Sequence, residues 1–318
     1  MVLKRHYILV TIVLVLAFLL GRLLIFSSVS RADLGIRNAD NCQAPDLPTY
    51  ENAKYNQEVA DADYLLYATA SMNAYEDVDV RGFDVQKYDG RWKKLGTKAA
   101  STGLSVDYYA RREKGVSVLV AVRGTRGPNA FDWYANLSWF TAIIPIPSSY
   151  DSARAAFVDI RREVEAIAKG DTISYVVTGH SLGGGVAQHL AFAFPCVAAV
   201  VFDTSPVVNR YRLREPYAPK IVLLHERGDE LTWLKRLLMS DAETSSYRHY
   251  PVDTIPRGNF KHAVTPMAVG MARTAVECQF DKRTGKRPGC DVPASDKRPK
   301  ELYCGSWGKI GPDEICRD

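Results

Sequence analysis

The chain has 318 residues, 47% of them apolar and 24% charged, which is ordinary globular usage and excludes a disordered, collagen-like or coiled-coil chain. Domains commonly hold about 100–200 residues, and α/β domains reach about 250, so the length fits one large domain with extra segments. Basic residues number 41 against 36 acidic, and an excess of +5 gives no argument for a nucleic-acid partner.

In chain order, the first predicted element is apolar. Lys4, Arg5 and His6 precede residues 7–20, which are apolar apart from Thr11, and the run resumes after Gly21 and Arg22 through Phe26. Counted to Leu20 it is a cleavable signal region. Counted to Phe26 it is long enough to span a bilayer, with Arg22 snorkelling near the far end. Residues 1–30 are therefore expected to be a signal anchor, with a signal peptide as the alternative. Under either reading the basic flank stays inside, and everything beyond about residue 30 is exported to a periplasmic or extracellular space. Residues 31–56 form a polar, irregular linker carrying Pro45 and Pro48.

Residues 57–75 show a helical pattern, with Val59, Ala60, Leu65, Leu66, Ala68 and Met72 on one wide face. Residues 104–110 alternate like a strand, and 116–122 form a continuous apolar run of the kind that suits a buried strand. An apolar connector over 131–150 follows, then an amphipathic helix over 151–168 closed by Gly170. Residues 173–178 read as a β-branched strand, 179–185 as a glycine-rich turn, 186–194 as a helix and 197–202 as a second buried strand. A short strand at 221–224 and helices at 230–238 and 261–276 complete the series. Apolar strands alternating with helices imply a mostly parallel sheet covered on both faces.

Six cysteines are distributed unevenly: Cys42, then Cys196, then Cys278, Cys290, Cys304 and Cys316. The last four lie in a stretch rich in Lys, Arg, Asp, Gly and Pro that cannot form a core of its own. Disulfides are its natural staple in an exported chain. Residues 278–318 are therefore expected to be a disulfide-stapled tail, holding two bridges or one bridge plus a link to Cys42. Zinc is disfavoured there, since no CxxC pair occurs. Cys196, after an apolar helix, is expected to be a buried thiol.

The strongest motif is Gly179-His180-Ser181-Leu182-Gly183, a GxSxG directly after a predicted strand and before a predicted helix, the context such a motif requires. Ser181 must stand in a sharp, strained turn above the sheet, and small flanking residues make room for it. A helix starting at Leu182 would aim its positive end at the site, and the Leu182 amide could donate to a developing oxyanion.

Together with residues 118–125 (VLVAVRGT), Asp132-Trp133 and Asn136-Leu137, the elbow GHSLGGG resembles the class 3 lipase family, the group related to fungal triacylglycerol lipases. The likeness spans roughly residues 57–275, and residues 57–277 are expected to be the hydrolase domain. The resemblance implies an α/β-hydrolase fold, a Ser-His-Asp triad, no cofactor or metal, and action on carboxylic ester bonds of lipids. It also implies that Thr125 supplies the second oxyanion donor, and that Trp133, Trp139, Phe140, Ile143, Ile144 and Ile146 belong to a lid.

A serine hydroxyl needs a histidine to take its proton and a carboxylate to orient that histidine. α/β-Hydrolases place them in the order Ser, acid, His. His262, in a loop before an apolar helix, is the expected base, with His249 the alternative. His180 is expected to point away from the site, and His189 to pack. Asp229, just past the 221–224 strand, is the expected acid, resembling the family's short acid loop. Asp203 and Glu226 are the alternatives. The expected activity is that of an exported serine ester hydrolase, a lipase, esterase or phospholipase acting through an acyl-enzyme on Ser181. Its partners would be a lipid or other ester substrate and, through the anchor, a membrane. A catalytically idle scaffold binding through its tail is the competing reading.

Overall fold

A computed structural model describes residues 42–48, 57–75, 84–99, 103–124, 149–205, 218–228, 247–252, 262–286, 292–293, 295–306 and 316. Its elements are α1 (Gln57–Asn73), α2 (Val85–Tyr88), β1 (Lys93–Ala99), β2 (Ser105–Arg112), β3 (Val116–Val122), α3 (Ser149–Ala168), β4 (Ile173–His180), α4 (Leu182–Ala193), β5 (Val197–Phe202), β6 (Ile221–Glu226), β7 (Tyr247–Val252), α5 (Val264–Arg283) and α6 (Arg298–Ser306).

The strands form one sheet in the order β1-β2-β3-β4-β5-β6-β7. β1 and β2 pair antiparallel with their neighbours, and β3 through β7 are parallel. A parallel series that always steps in one direction, joined by right-handed crossovers, puts its crossover helices on one face. Among the described residues the two crossover helices, α3 and α4, share one face. Phe157, Ile160 and Val164 of α3 and Val186 and Leu190 of α4 share a core with Val118, Val120, Tyr175, Val177, Ala199, Val201 and Leu223 of the strands.

The opposite face is left to helices that precede and follow the sheet. Leu65, Ala68 and Met72 of α1 and Met267, Ala268 and Met271 of α5 cover Val176, Val200, Phe202, Val222 and Leu224. Alternate strand residues thus enter different cores, so the central strands are buried on both sides and are predominantly apolar on both faces. Phe157 is fully buried, with ring centroids 5.5 Å from Tyr175 and 4.7 Å from Phe194. Burying such a side chain contributes about 1.5–3 kcal/mol. A mostly parallel sheet, helices on both faces and a strand–serine–helix turn at its centre make this an α/β-hydrolase fold.

Several boundaries differ from the sequence reading. β1 has no apolar signature, because it is the sheet edge. Lys94 pairs with Asp107 at 2.8 Å and Lys98 pairs with Glu163, and charged side chains protect such an edge from pairing with other chains. α4 begins at Leu182, so Gly183–Gly185 form its first turn rather than a separate connection. β7, holding His249 and strand-like in its alternation over 247–251, runs one residue further to Val252 and pairs parallel with β6. α5 runs on to Arg283, past Cys278. Beyond it, Leu302 of α6 is buried with Met271 and Tyr88, and Val292 is buried beside Cys278, Ala275 and Ala62. Those tail residues use the core of the α1–α5 layer, having too few apolar residues to build their own.

The cysteines correct one expectation. Cys196 is not a free thiol: it is bonded to Cys42 across 154 positions. Cys42 lies beside Ile173 at the start of β4, where the Gln43 amide donates to the Ile173 carbonyl at 3.0 Å. Cys196 directly precedes β5, so the bridge fastens the incoming stem to the N-terminal ends of two central strands. In the tail, Cys304 is bonded to Cys316, and Cys278 is also oxidised. The expected apolar span over residues 7–26, the lid aromatics, and the helix at 230–238 lie outside the described residues. Among the described residues, no helix is long and apolar enough to cross a membrane.

Candidate active site

The site is built at the C-terminal ends of the parallel strands. β4 ends at His180 and α4 begins at Leu182, so Ser181 alone makes the turn. It adopts φ 56° and ψ −126°, a sparsely populated conformation for a residue with a Cβ, at a cost of about 1–3 kcal/mol. Its backbone is fixed from three sides. The Ser181 amide donates to the Phe202 carbonyl at 3.1 Å. Its carbonyl accepts from Ser205 at 3.0 Å and from Gly185 at 3.2 Å.

The turn also needs close backbone contacts. A Cβ on Gly179 would stand 2.5 Å from the Gly183 carbonyl, and one on Gly183 would meet the Val122 carbonyl and the Gly124 amide. The end of β3 therefore presses on the first turn of α4. The first amides of a helix have no partner within the helix, and the positive end of its dipole lies there. The Leu182 amide accordingly lies at the start of α4, one residue past the serine.

Three polar side chains gather nearby. His180, Asp203 and His262 each bring a nitrogen or carboxylate oxygen to within 4.8 Å of the other two. The His180 and His262 rings are 4.7 Å apart at their centroids, inclined by 39°. His180 Nδ1 is hydrogen-bonded to the Tyr75 hydroxyl at 3.2 Å. Asp203 is fully buried, with φ 39° just past the end of β5. Its Oδ1 accepts from the Glu226 amide at 2.8 Å, and its own amide donates to the Leu224 carbonyl at 3.0 Å. A buried carboxylate is costly unless bonded or paired, and the close ends of β5 and β6 supply that support.

His262 stands just before α5, beside His180 and Asp203. His180 does not point away, as was expected; it packs against His262. The alternation along β4 carried that signal. Val176 faces the α1–α5 layer, and Thr178 bonds to Ser71 of α1 at 2.9 Å. His180 has the same parity and meets Tyr75 and His262 on that side. His189 packs as expected. It is fully buried, edge-on to Tyr150 and 2.7 Å from an Arg154 nitrogen.

Of the carboxylates weighed, Asp203 is the one brought to His262 among the described residues. Glu226 is buried at the end of β6, where its amide holds Asp203. Asp229 and Thr125 lie outside the described residues. His249 is in β7, in register with Leu223.

No family model matches the chain, and no curated protein matches it. Solved structures do. Lipase II from Rhizopus niveus is 15% identical, with 53% of this chain and 72% of that one covered, at a TM-score of 0.36. A lipase from Rhizopus microsporus var. chinensis is 13% identical over 60% of this chain and 76% of its own, at 0.38. Brefeldin A esterase, a bacterial homologue of human hormone-sensitive lipase, is 12% identical over 81% and 90%, at 0.37. The chain is similar to these lipases and esterases, and its fold is read from its own sheet and elbow.

Proposed function

We propose that this chain is an exported serine hydrolase of carboxylic esters, acting on lipids or related acyl substrates. One observation carries the reading: a single serine forms the whole turn between a central parallel strand and a helix, with a histidine and a buried carboxylate gathered beyond the ends of neighbouring strands.

In the proposed reaction the Ser181 hydroxyl attacks the ester carbonyl and His262 takes its proton. The amides of Leu182 and, by the family resemblance, Thr125 donate to the oxyanion. His262 then protonates the departing alcohol, and water, deprotonated by the same imidazole, releases the acid from the acyl-enzyme. A carboxylate holds the imidazole. Asp203 is favoured by its position beside His262, and Asp229 by its resemblance to the family's acid loop.

Disulfides support export, since they persist in oxidising compartments. The reading includes the N-terminal apolar segment as a membrane anchor. The stem enters at Cys42, at the end of β4 opposite Ser181, and eight strand residues separate these ends by about 25 Å.

The test is hydrolysis of a p-nitrophenyl ester by the purified chain, with fluorophosphonate labelling of Ser181. Activity should disappear in Ser181→Ala and His262→Ala and survive in His249→Ala. The Asp203→Asn and Asp229→Asn pair identifies the acid as the variant with the larger loss in kcat. A wild-type chain that takes no label and cleaves no ester would favour the idle scaffold.

A further inference from the structure

We infer that His180, Asp203 and His262 form a binding site for a divalent transition-metal ion, zinc by preference, and that zinc there switches the hydrolase off. The binding rests on these residues alone. The inhibition rests on the proposed role of His262 as base.

Two imidazoles and one carboxylate are a common donor set for zinc, which takes three protein ligands and leaves a fourth position open in its non-structural sites. Bonds of about 2.0–2.2 Å in a tetrahedron require donor atoms about 3.3 Å apart. The three donors already lie within 4.8 Å of one another, so small side-chain rotations would close the set.

Both ligands contributed by the sheet are held by neighbours of the kind metal ligands use. Tyr75 bonds His180 Nδ1 at 3.2 Å. An outer partner of this kind fixes ring orientation and tautomer. The Glu226 amide donates to Asp203 Oδ1 at 2.8 Å. Asp203 is fully buried, His180 is 5% exposed and His262 is half-buried. An anionic ligand in such surroundings is balanced by a dication better than by water.

The effect on catalysis follows from electron counting. A neutral imidazole has one nitrogen lone pair, and its other nitrogen carries hydrogen. Zinc bound to either nitrogen of His262 takes that lone pair, and none remains to accept the Ser181 proton. The serine then stays a hydroxyl, while its own side chain is untouched.

Zinc chloride is the probe, added to the purified chain and to its Ser181→Ala variant. Ser181→Ala should bind one zinc per chain by equilibrium dialysis. Cobalt in its place should give the visible absorption of a tetrahedral N/O site. Wild-type ester hydrolysis should fall with a midpoint matching that dissociation constant and return with a chelator. His180→Gln and Asp203→Asn should each weaken binding at least tenfold, and Tyr75→Phe should weaken it about 10–100-fold, as removal of an outer partner does. Zinc held equally well by His180→Gln overturns the site, whether or not Asp203→Asn folds. Zinc bound by Ser181→Ala without inhibition of the wild type overturns the switch. An esterase-active Ser181→Ala variant would remove the proposed nucleophile while leaving the dialysis and cobalt results to stand.

Discussion

The two ends of the parallel sheet are built by opposite rules. At the N-terminal ends, Val116, Ile173 and Val197 are 3–5% exposed, and a disulfide joins Cys42 to Cys196 beside them. Ordinary apolar packing and a covalent staple suffice there. At the C-terminal ends Ser181 and Asp203 both have positive φ, glycines stand where any Cβ would collide, and ionisable side chains are buried. Each of these features opposes stability, and together they hold two imidazoles and a carboxylate near one another just past the strand ends. The stability of the packed end offsets the strain of the other.

Substitutions that act on one end alone break this comparison. The largest effect is expected from Ser181→Ala. Triad members act as a unit, and losing one can cost on the order of 10⁶-fold in kcat. Ester hydrolysis should vanish while the thermal midpoint stays close to wild type.

Gly183→Ala comes next. In most helices this change stabilises by about 0.5–1 kcal/mol. Here the new Cβ would stand 2.8 Å from the Gly124 amide and meet the end of β3, which is backbone and cannot rotate aside. A loss of about 2–3 kcal/mol is expected, along with the activity. Chemical denaturation checks the sign.

Replacing Cys42 and Cys196 together by serine tests the other end. Removing the bridge should lower stability by about 2–4 kcal/mol, read as a lower denaturant midpoint, while the rate per folded molecule persists. A loss of rate as large as that of Gly183→Ala would show that the two ends are not separable.

The smallest effect concerns acid. Hydrogen bonds from Arg91 hold the Asp89 carboxyl near 2, below its ordinary 3.8. A carboxyl lowered on folding stabilises its ionised form. That contribution is present above about pH 4 and is lost as pH falls toward 2. Arg91 is 59% exposed, so screening leaves about 1 kcal/mol. Asp89→Asn should show a correspondingly smaller fall in stability over that interval, with the active site unaffected.

Much of the fold was legible because central parallel strands are buried on both faces. Residues 116–122, apolar apart from Ser117, and 197–202, apolar throughout, read as buried strands, and the structure gives them those same bounds. The edge strand Lys93–Ala99 was not legible, since its lysines serve solvent and edge protection. Helix Arg298–Ser306 was not either, because Leu302 docks into a core supplied by other helices. In the site, Ser181 was readable from its glycines and flanking elements. His180 was readable only through the parity of β4. Asp203 was readable as an alternative acid just past the 197–202 strand, but its meeting with His262 was not, because the strand order that joins them is not encoded locally.

By itself the sequence determined the layered α/β architecture and the serine turn, since apolar periodicity and local glycine sterics act over a few residues and need no partner. Only the tertiary structure decided that Cys196 pairs with Cys42, that tail residues share the α1–α5 core, and that His180 and Asp203 meet His262. Those contacts join residues dozens of positions apart. Strand order and crossover direction bring them together, and no local preference encodes either.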